Sequence, residues 1–506
     1  MKAISNSEIV GVIGAGAMGA GIAQVAASAG HEVLIYDMSL EAASKAIKNI
    51  NSRVERLCEK GIVSKDVANN TKRCLKVANT FEDMNEAHLI VEAIVENLEV
   101  KQQLFAQLEE IVHDFTILTS NTSSLSITAI GSILKSPDRF AGFHFFNPAP
   151  RMPLVEIVSG LATSKDVATS LYKTAEAWGK KPVYAKSTPG FIVNRVARPY
   201  YAEALRVFEE GVADHATIDC IVKECADFKM GPFELMDLIG HDVNYAVTKS
   251  VFEAYFHDPR YRPSLVQQEL VAAGWFGQKS SKGFYTYSPK KIDEPIEDYR
   301  TCDKPNSINI EGDLGFAETL VSLWQTKDIH VDRGDGNGII RVNDTVIAPT
   351  NGLSASERMH AEAYDILVLF DYCADFQTTP RIVLTAAGKN KDQNLDIAAG
   401  LFQALDKKIS IVGDTPGMVV FRTIAMLANE ACEALLLGVA NSIDLDKAMK
   451  LGVNYPKGPL AWADEIGAEV LHAGLANIFE SYKDIRYRPS TLFSNRVFEN
   501  TPLFEK

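Results

Sequence analysis

The chain has 506 residues, more than a single hydrophobic core usually supports, so the sequence predicts several domains. Hydrophobic residues make up 46% and charged residues 23%, which is ordinary for a folded globular protein. The formal net charge of −14 argues against a nucleic-acid partner, whose phosphates would be repelled. The cysteines are scattered, with neither a CxxC pair nor a zinc-ligand spacing. We therefore expect no metal site and a reducing, cytoplasmic location.

An uncharged stretch over residues 9–30 is long enough to cross a membrane. It contains five glycines between Gly11 and Gly21, however, and no Leu or Phe. A β-strand, a tight turn and a buried helix explain this composition better, so we expect no membrane association.

The segment GAGAMG, residues 14–19, follows a short apolar strand and precedes a helical run. This is the context that a dinucleotide-binding GxGxxG motif requires. The first glycine would allow the tight turn, the second would let the backbone approach a pyrophosphate, and the third would let helix and strand pack closely. The free N–H groups at the start of the helix favour an anion. Cofactor contacts are therefore predicted at Gly14, Gly16, Ala17, Met18 and Gly19.

A second strand, EVLIY, ends at Asp37, eighteen residues after Gly19. A carboxylate there accepts hydrogen bonds from ribose hydroxyls and repels a 2′-phosphate, so the sequence predicts NAD rather than NADP. A glycine-rich turn in some other α/β protein is the alternative. The order of strand, motif, helix, strand and aspartate favours dinucleotide binding.

The segments AHLIVEAI and TILTSNTSSL predict further strands of a doubly wound parallel sheet. Ligands bind beyond the carboxyl ends of the strands in such sheets. Polar residues that follow these strands would therefore line a ligand site. They are Glu96, Lys101, Asn121 and Ser123.

The segment GFHFFNPAP, residues 142–150, places His144 among aromatic residues after another short strand. A packed core histidine is the commonest explanation. The functional alternative is a base that takes a hydroxyl proton during hydride transfer, since histidine's ordinary pKa near 6.5 suits that task. Glu156 lies in the apolar run PLVEIVSG, where a charge is costly unless paired. It is therefore the candidate partner of His144, with an exposed place on an edge strand as the alternative.

In GFHFFNPAPRMPLVEIV, SNTSSLSIT and TPGFIVNR the sequence resembles the 3-hydroxyacyl-CoA dehydrogenases, over residues 8–287. The resemblance implies that His144 is the base and Glu156 its carboxylate partner. It also implies that Ser123 and Asn194 hydrogen-bond the substrate oxygen, although an ordinary cap or turn is the alternative for both. Nicotinamide-side contacts would come from Glu96, Lys101 and Asn121.

A basic helix is predicted over residues 45–61. The corresponding region of the family that the sequence resembles covers the acyl-CoA. Ser52 and Lys60 match the family's CoA-binding positions most nearly, within one residue. A solvated helix face explains the same charges equally well.

The helical region occurs twice, because TPGFIVNR (188–195) resembles TPGMVVFR (415–422) at an offset of 227 residues. GPFELMDLIG and GPLAWADEIG are separated by the same offset. The second copy is predicted to lack the chemistry. In this register Asp371 replaces His144, Val383 replaces Glu156, and Phe421 replaces Asn194.

The predicted fold is an N-terminal α/β Rossmann-like doubly wound sheet, then an all-α helical domain, then a second, degenerate copy. The second helical copy would pack on the first and replace the partner subunit of shorter relatives, with a homo-oligomer as the alternative. The expected divisions are 1–187 (NAD-binding), 188–288 (helical), 289–330 (linker), 331–412 (reduced α/β) and 413–506 (second helical copy).

The resemblance implies NAD-dependent oxidation of (3S)-3-hydroxyacyl-CoA to 3-oxoacyl-CoA. The long form resembles bacterial enzymes for 3-hydroxyadipyl-CoA, in phenylacetate catabolism, or for 3-hydroxybutyryl-CoA, in fatty-acid or polyhydroxybutyrate metabolism. Arg151, Arg195 and Arg198 are candidates for binding a distal carboxylate. One rival is a sugar-acid or hydroxyacid dehydrogenase, which would use a lysine and lack HFFNP. The other is a non-enzymatic NAD-binding or structural relative, in which the His–Glu pair would be degraded.

Overall fold

The computed structural model describes residues 2–292, 294 and 296–505. The chain divides into two compact units. The first unit is Met1–Arg195 with Leu437–Val453, and the second is Val196–Leu436 with Asn454–Lys506. Within the described residues, none of the helices has the length and hydropathy that a bilayer crossing needs. The same residues contain no group of three or more His, Cys, Asp or Glu side chains suited to hold a metal ion.

The first unit is built on a sheet with strand order β3-β2-β1-β4-β5-β6-β7-β8. Its strands are β1 (Ile9–Ile13), β2 (Val33–Tyr36), β3 (Leu75–Val77), β4 (Ala87–Glu92), β5 (Ile117–Ser120), β6 (Phe140–Phe145), β7 (Leu154–Ser159) and β8 (Lys181–Lys186). Strands β6 and β7 pair antiparallel, whereas the other neighbours pair parallel. The predicted doubly wound sheet is confirmed, and it carries an antiparallel hairpin where His144 and Glu156 lie.

Helices cover this sheet, and the glycine motif leads into the first of them. They are α1 (Ala17–Ser28), α2 (Leu40–Glu59), α3 (Lys65–Cys74), α4 (Leu98–Ile111), α5 (Ile127–Gly131), α6 (Lys165–Ala177) and α7 (Val193–Val196). Helix α1 is buried from Gly19 to Ala27, because its small apolar residues let it lie close to the strands. Helix α2 is amphipathic and buries only Ala43, Ala46, Ile50 and Val54.

The second unit contains another sheet, with strand order β10-β9-β11-β12-β13-β14-β15. Its strands are β9 (Ser307–Glu311), β10 (His330–Gly334), β11 (Ile339–Val342), β12 (Thr345–Pro349), β13 (Ile366–Phe370), β14 (Arg381–Gly388) and β15 (Lys408–Ile411). The remaining helices of the chain are α8 (Arg198–Glu209), α9 (His215–Ala226), α10 (Pro232–Ile239), α11 (His241–Ala254), α12 (Leu265–Ala272), α13 (Thr319–Gln325), α14 (Ala355–Ala361), α15 (Lys391–Gln403), α16 (Val420–Leu436), α17 (Ser442–Gly452), α18 (Pro459–Ile466), α19 (Ala468–Tyr482) and α20 (Thr491–Phe498). Of these, α17 belongs to the first unit.

The end of the second sheet repeats the end of the first. Strands β12 to β15 pair parallel, antiparallel and parallel, as β5 to β8 do. Asp371 directly follows β13, and its N–H donates to the carbonyl of Val383 over 3.1 Å. Asp371 therefore faces Val383 as His144 faces Glu156, which is the register that the sequence repeat predicts.

Each sheet is covered in part by a helix of the other copy. In the first unit, α17 packs on β7 and β8, and Asp444 accepts a hydrogen bond from the N–H of Tyr184 over 3.1 Å. In the second unit, α9, the counterpart of α17 in the first copy, packs on β14. There Arg381 Nε donates to Glu224 over 2.8 Å. The two copies thus exchange equivalent helices.

The helical copies also pack on each other within the second unit. Helix α16 lies against α8, where Arg422 Nε donates to Glu203 Oε2 over 2.8 Å and both side chains are fully buried. This buried ion pair joins residues 219 positions apart. The hypothesis that the second helical copy packs on the first is therefore supported by direct contacts.

The segment 289–330, predicted to be a linker, includes regular structure. Strand β9 and helix α13 both lie in it, and β9 belongs to the second sheet. Ile308 and Ile310 alternate along β9 and are buried in the core of the second unit. The second α/β region therefore begins earlier than residue 331, with β9. The alternation of apolar residues along β9 is short and follows a polar segment, which is why the sequence did not reveal the strand.

Candidate active site

The centre of the site is a pair of side chains on the β6–β7 hairpin. His144 and Glu156 are direct cross-strand partners in the antiparallel register. His144 Nδ1 lies 2.6 Å from Glu156 Oε2, with 5% of the histidine and none of the glutamate exposed. Because a carboxylate only accepts, this contact places a proton on Nδ1 and leaves Nε2 as the free acceptor. The exposed-edge alternative for Glu156 is excluded by its burial.

Two aromatic rings lie against the imidazole of His144. The Phe146 ring centroid is 4.6 Å from it and that of Phe191 is 5.7 Å away. No hydrogen bond to Nε2 is formed within the described part of the chain. The ring is therefore fixed in orientation while one nitrogen stays available.

The second oxygen of Glu156 connects the hairpin to α7. Oε1 accepts the N–H groups of Ile192 and Val193, each over 3.1 Å. The next residue is Asn194, half-buried on α7. Its amide has no hydrogen-bond partner among residues 2–292, 294 and 296–505. One carboxylate thus orients His144 and fixes the turn that carries Asn194.

The loop after β5 brings two further predicted residues to the same edge. Asn121 accepts the N–H of Phe145 on its Oδ1 over 2.8 Å, which joins this loop to the strand of His144. Ser123 donates its N–H to Glu96 over 3.1 Å. For the Ser123 hydroxyl, no partner occurs in the described residues.

Glu96 organises that loop. One of its oxygens accepts the hydroxyl of Thr122 over 2.5 Å and the hydroxyl of Ser124 over 2.8 Å, besides the N–H of Ser123. Burial alone would raise the pKa of Glu96, but the Thr122 hydrogen bond, the charge of Lys101 and the contacts of Ser124 and Ser123 hold that pKa below its ordinary value. Glu96 is therefore an ionised anchor.

Lys101 sits in a buried ion-pair cluster that the sequence analysis did not identify. Its Nζ lies 2.5 Å from Glu92 and 3.3 Å from Glu96, and the lysine is 1% exposed. Glu92 is fully buried at the end of β4 and also accepts the hydroxyl of Ser120 over 2.6 Å. A charged residue at the end of the apolar run LIVE was the available signal, and it is the same signal that revealed Glu156.

The glycine motif has the shape that a dinucleotide needs. Gly14 adopts φ +101°, and a Cβ there would lie 2.5 Å from the carbonyl oxygen of Ala93. A Cβ on Gly19 would lie 1.9 Å from the Gly14 oxygen, so this position must stay bare for α1 to pack. A Cβ on Gly16 would meet nothing within 4 Å. The space over Gly16, at the N-terminus of α1, is therefore open to a pyrophosphate.

Asp37 lies beside this turn at the end of β2. It accepts the N–H of Ala15 on Oδ2 over 2.8 Å and that of Ser39 on Oδ1 over 3.0 Å. Ala17 and Met18 form the first turn of α1 next to Gly16. The predicted cofactor residues of the motif and Asp37, the carboxylate predicted to bind the ribose, thus lie together.

A groove of about 1020 Å³ lies in the same unit. Ala17, Asn147 and Pro148 are among the residues that line it, and the last two follow His144 closely in sequence. Apolar side chains form much of its wall. They are Val25, Val54, Leu57, Ile62, Val63, Val67 and Trp178.

The charges of the groove are all positive. Arg53, Arg151 and Lys180 line it, and no acidic residue does so in the described part of the chain. Burial lowers the pKa of Lys180 to about 8, and its Nζ donates to the carbonyls of Ala149 and Met152 over 2.6 and 2.9 Å. In a protein of net charge −14, such a groove is suited to an elongated anion.

Of the two residues predicted to contact CoA, Ser52 lies on α2 and Lys60 caps the C-terminus of that helix. Ser52 and Lys60 are exposed and are not among the residues that line the groove. Their neighbour Arg53 does line it and donates to Gln24 over 3.1 Å. The sequence match was defined only to within one residue. The lining of the groove favours Arg53 over Ser52 as the residue that faces a ligand.

Comparison with known proteins agrees with this geometry. The NAD-binding domain of 3-hydroxyacyl-CoA dehydrogenases matches residues 9–188, and the C-terminal domain of that family matches residues 190–287 and again 417–502. A 3-hydroxyadipyl-CoA dehydrogenase of Escherichia coli K12 is 42% identical over 496 residues, which are 97% of this chain and 98% of that protein. The chain belongs to the 3-hydroxyacyl-CoA dehydrogenase family.

Other members of the family resemble the chain in whole or in part. The crystal structure of a 3-hydroxybutyryl-CoA dehydrogenase from Escherichia coli K12 covers 98% of this chain and 99% of its own, with a TM-score of 0.89 and 42% identity. The human mitochondrial hydroxyacyl-coenzyme A dehydrogenase is 42% identical over 284 residues, 55% of this chain and 90% of that protein. The reduced Rossmann-fold domain of 3-hydroxybutyryl-CoA dehydrogenase matches residues 347–416. The fold prediction is confirmed, and the chain is an NAD-dependent dehydrogenase.

The cofactor preference of this 3-hydroxyacyl-CoA dehydrogenase is expected to depend on Asp37. In Asp37→Asn the amide oxygen can still accept the N–H of Ala15, but the negative charge is lost and the NH₂ group can no longer accept the N–H of Ser39. We expect the Kd for NAD to rise about tenfold and the preference for NAD over NADP to fall by about the same factor, since a hydrogen bond to a charged group contributes about 1.5–3 kcal/mol. Titration calorimetry with both nucleotides measures the effect. Glu41→Gln, at an exposed carboxylate on α2, is the control, and an unchanged NAD/NADP ratio in Asp37→Asn would exclude the role.

Proposed function

We propose that the protein oxidises (3S)-3-hydroxyacyl-CoA at the His144–Glu156 pair. The observation that carries the proposal is the 2.6 Å contact between His144 Nδ1 and Glu156, which leaves Nε2 free. Nε2 takes the proton of the 3-hydroxyl group, and Glu156 stabilises the imidazolium that forms. NAD, when bound on Gly14, Gly16, Gly19 and Asp37, supplies the hydride acceptor.

Ser123 and Asn194 hold the substrate oxygen. A hydroxyl and an amide N–H are suited to donate to an oxygen that becomes a carbonyl. Asn194 follows Val193, whose N–H donates to Glu156. Ser123 donates its N–H to Glu96, and its loop is joined to the strand of His144 by the hydrogen bond from Phe145 to Asn121. Asn121, Glu96 and Lys101 position the loop on the nicotinamide side.

The CoA portion of the substrate lies in the groove. Its pantetheine contacts the apolar wall, and its phosphates pair with the cations, foremost Arg53. The absence of acidic residues from the lining in the described residues supports this assignment, because a carboxylate there would repel the phosphates.

The acyl group is 3-hydroxyadipyl, with 3-hydroxybutyryl as the alternative. Support comes from the 3-hydroxyadipyl-CoA dehydrogenase that the chain matches along 97% of its length. We place the reaction in phenylacetate breakdown in the cytoplasm. The second copy substitutes in cis for a partner subunit, as the exchanged helices α9 and α17 suggest.

The test is nicotinamide absorbance with purified protein, NAD or NADP, and the (3S) esters of 3-hydroxyadipyl-CoA and 3-hydroxybutyryl-CoA. We expect NAD-dependent oxidation, faster with the adipyl ester. The matched (3R) esters are the control and should be inert. Binding of NAD without turnover of any ester would show a binding protein instead, and faster turnover of the butyryl ester would select the alternative substrate.

A further inference from the structure

Glu92 lies where the strand order of the first sheet reverses direction. It ends β4, and its register partners are Ile13 at the end of β1 and Ser120 at the end of β5. The order β3-β2-β1-β4-β5 runs outward from β1 on one side and from β4 on the other. A dinucleotide binds such a sheet at this switch point, beyond the carboxyl ends of the strands. Glu92 is therefore a buried carboxylate at the predicted cofactor crevice.

The main chain around Glu92 contacts both sides of this crevice. The carbonyl oxygen of Ala93, the next residue, is 2.5 Å from the position that a Cβ on Gly14 would take, so it borders the glycine turn. On the other side, the carbonyl of Glu92 accepts the N–H of Asn121 over 2.8 Å. Asp37 is predicted to bind a ribose at the end of β2. We therefore expect the nicotinamide half on the opposite side of β1, at the ends of β4 and β5.

The side chain of Glu92 uses both of its oxygens as acceptors. Oε1 accepts the N–H of Ile94 over 2.7 Å and lies 2.5 Å from Lys101 Nζ. Oε2 accepts the hydroxyl of Ser120 over 2.6 Å. Glu92 is fully buried and Lys101 is 1% exposed. A buried ammonium is costly without a counter-charge, so this pair depends on the carboxylate of Glu92.

Glu92, Lys101 and Glu96 together form a cluster with a net charge of −1. Lys101 Nζ is also 3.3 Å from Glu96 Oε2, so one ammonium is shared by two carboxylates. Among the described residues, no further ion pair reaches these three side chains. Glu96 is the exposed end of the cluster, with 37% of its side chain accessible, and it accepts the N–H of Ser123. Because the other two members are buried, water screens their charges poorly.

We propose that Glu92 sets the relative affinity of the site for the two redox states of the cofactor. The nicotinamide ring of NAD carries a positive charge that the ring of NADH lacks, and the two nucleotides are otherwise alike. A cluster of charge −1 at the nicotinamide side therefore stabilises bound NAD relative to bound NADH. Glu92 acts through Lys101, whose charge it offsets, so it is not a catalytic residue. The proposal rests on the proposed function only for the nicotinamide side assigned to Glu96 and Lys101.

The experiment measures the Kd of NAD, NADH and ADP-ribose by titration calorimetry, without an acyl-CoA ester. Glu92→Gln removes the charge and keeps the shape, since the amide oxygen can accept from Ile94 and Lys101 while the NH₂ group donates to the Ser120 hydroxyl. We expect the preference for NAD over NADH to fall about threefold to tenfold, the order that one partly screened unit charge contributes. The Kd of ADP-ribose, which has no nicotinamide ring, should change less than about twofold.

Two further variants separate charge from shape. Glu92→Asp keeps the charge and should keep the NAD/NADH preference within about twofold of the wild type. Glu92→Gln combined with Lys101→Met leaves only Glu96 charged, which returns the cluster to −1, so the preference should recover although the contacts are lost. Glu109→Gln is the control. Its carboxylate lies 3.6 Å from Arg139, which directly precedes β6 at the opposite edge of the sheet.

A role of Glu92 in folding alone would weaken NAD, NADH and ADP-ribose equally, and that result in Glu92→Gln would overturn the proposal. An equal loss of preference in Glu92→Asp, or no recovery in the double variant, would also overturn it. If Glu92→Gln does not fold, the double variant still decides, since it contains no buried ammonium. A wild-type preference there supports the charge effect, and a lowered preference contradicts it. Failure of the protein to oxidise 3-hydroxyacyl-CoA would leave all of these binding measurements intact.

Discussion

Replacing His144 by Gln is expected to lower kcat by about 10³-fold, since a positioned general base contributes about 10²–10⁴. Glutamine fills much of the volume of the imidazole but cannot take the hydroxyl proton. The Kd for NAD should not change, because the glycine turn and Asp37 lie at β1 and β2, away from the β6–β7 hairpin. Steady-state turnover and a nucleotide titration on the same preparation measure the two quantities.

The matched control is another buried histidine of the first unit. His31 is fully buried, contacts the ring of Trp178 at 5.6 Å, and hydrogen-bonds the carbonyl of Glu8 over 3.0 Å. His31→Gln should lower the free energy of unfolding, because it disturbs the packing of a buried side chain. It should leave kcat within about threefold, because His31 has no part in the proposed reaction. If His144→Gln behaves like His31→Gln, His144 is a packed core histidine and not a base.

The second copy shows which part of the His144–Glu156 arrangement is structural. Asp371 accepts the N–H groups of Val419, Val420 and Phe421 over 2.7–3.0 Å. Val419 and Val420 are the counterparts of the residues that donate to Glu156, 227 positions earlier. A buried carboxylate therefore fixes this turn in both copies, although it comes from a different strand in each. Burial raises the pKa of Asp371 to about 6, with these N–H groups opposing the shift.

Only the first copy adds a histidine to that carboxylate. Glu156 thus has two separable tasks, fixing the turn before α7 and orienting His144. In the second copy the position of Asn194 is taken by Phe421, which is fully buried. The second copy retains the fold of the turn, but it has neither a histidine at the position of His144 nor an amide at that of Asn194.

The sequence was sufficient to predict the glycine turn and the contact between His144 and Glu156. The glycine motif is a local signal, because Gly14 and Gly19 are required by contacts with the backbone of Ala93 and of Gly14, and Gly16 leaves open space beside them. His144 and Glu156 were predictable because both are polar residues in apolar strands. His144 and Glu156 are separated by twelve positions in sequence. Two residues at this separation can face each other across an antiparallel hairpin, and in the observed register they do.

Other features depend on tertiary contacts that leave no local pattern. Glu92 ends β4 and Lys101 lies on α4, the helix that follows. That their side chains form a buried ion pair is shown only by the three-dimensional structure. On α2, a rotation of one residue decides that Arg53 and not Ser52 faces the groove. The exchange of α9 and α17 between copies is set by packing far apart in sequence, so the repeat predicts the helices but not which sheet each one covers.

Replacing Glu156 by Gln is expected to lower kcat by about 10³- to 10⁴-fold, the cost of holding a catalytic histidine in the wrong tautomer. Glutamine has one acceptor oxygen, whereas Glu156 uses two. If that oxygen receives the N–H groups of Ile192 and Val193, the NH₂ group faces His144 Nδ1. Nδ1 must then be the acceptor, the ring proton moves to Nε2, and Nε2 can no longer take a proton from the substrate. The ¹⁵N chemical shifts of His144 report this change directly, beside kcat.

A second carboxylate separates this effect from a loss of structure. Glu109 accepts the N–H groups of Lys135 and Ser136 over 2.7 and 2.9 Å, so it also fixes a turn. Among the described residues its charged partner is Arg139, at 3.6 Å, and not a histidine. Glu109→Gln should lower the Tm about as much as Glu156→Gln while leaving kcat and the His144 spectrum unchanged. A Glu156→Gln protein that keeps wild-type kcat, or that loses kcat with the proton still on Nδ1, would mean that the carboxylate fixes the turn and does not set the tautomer of His144.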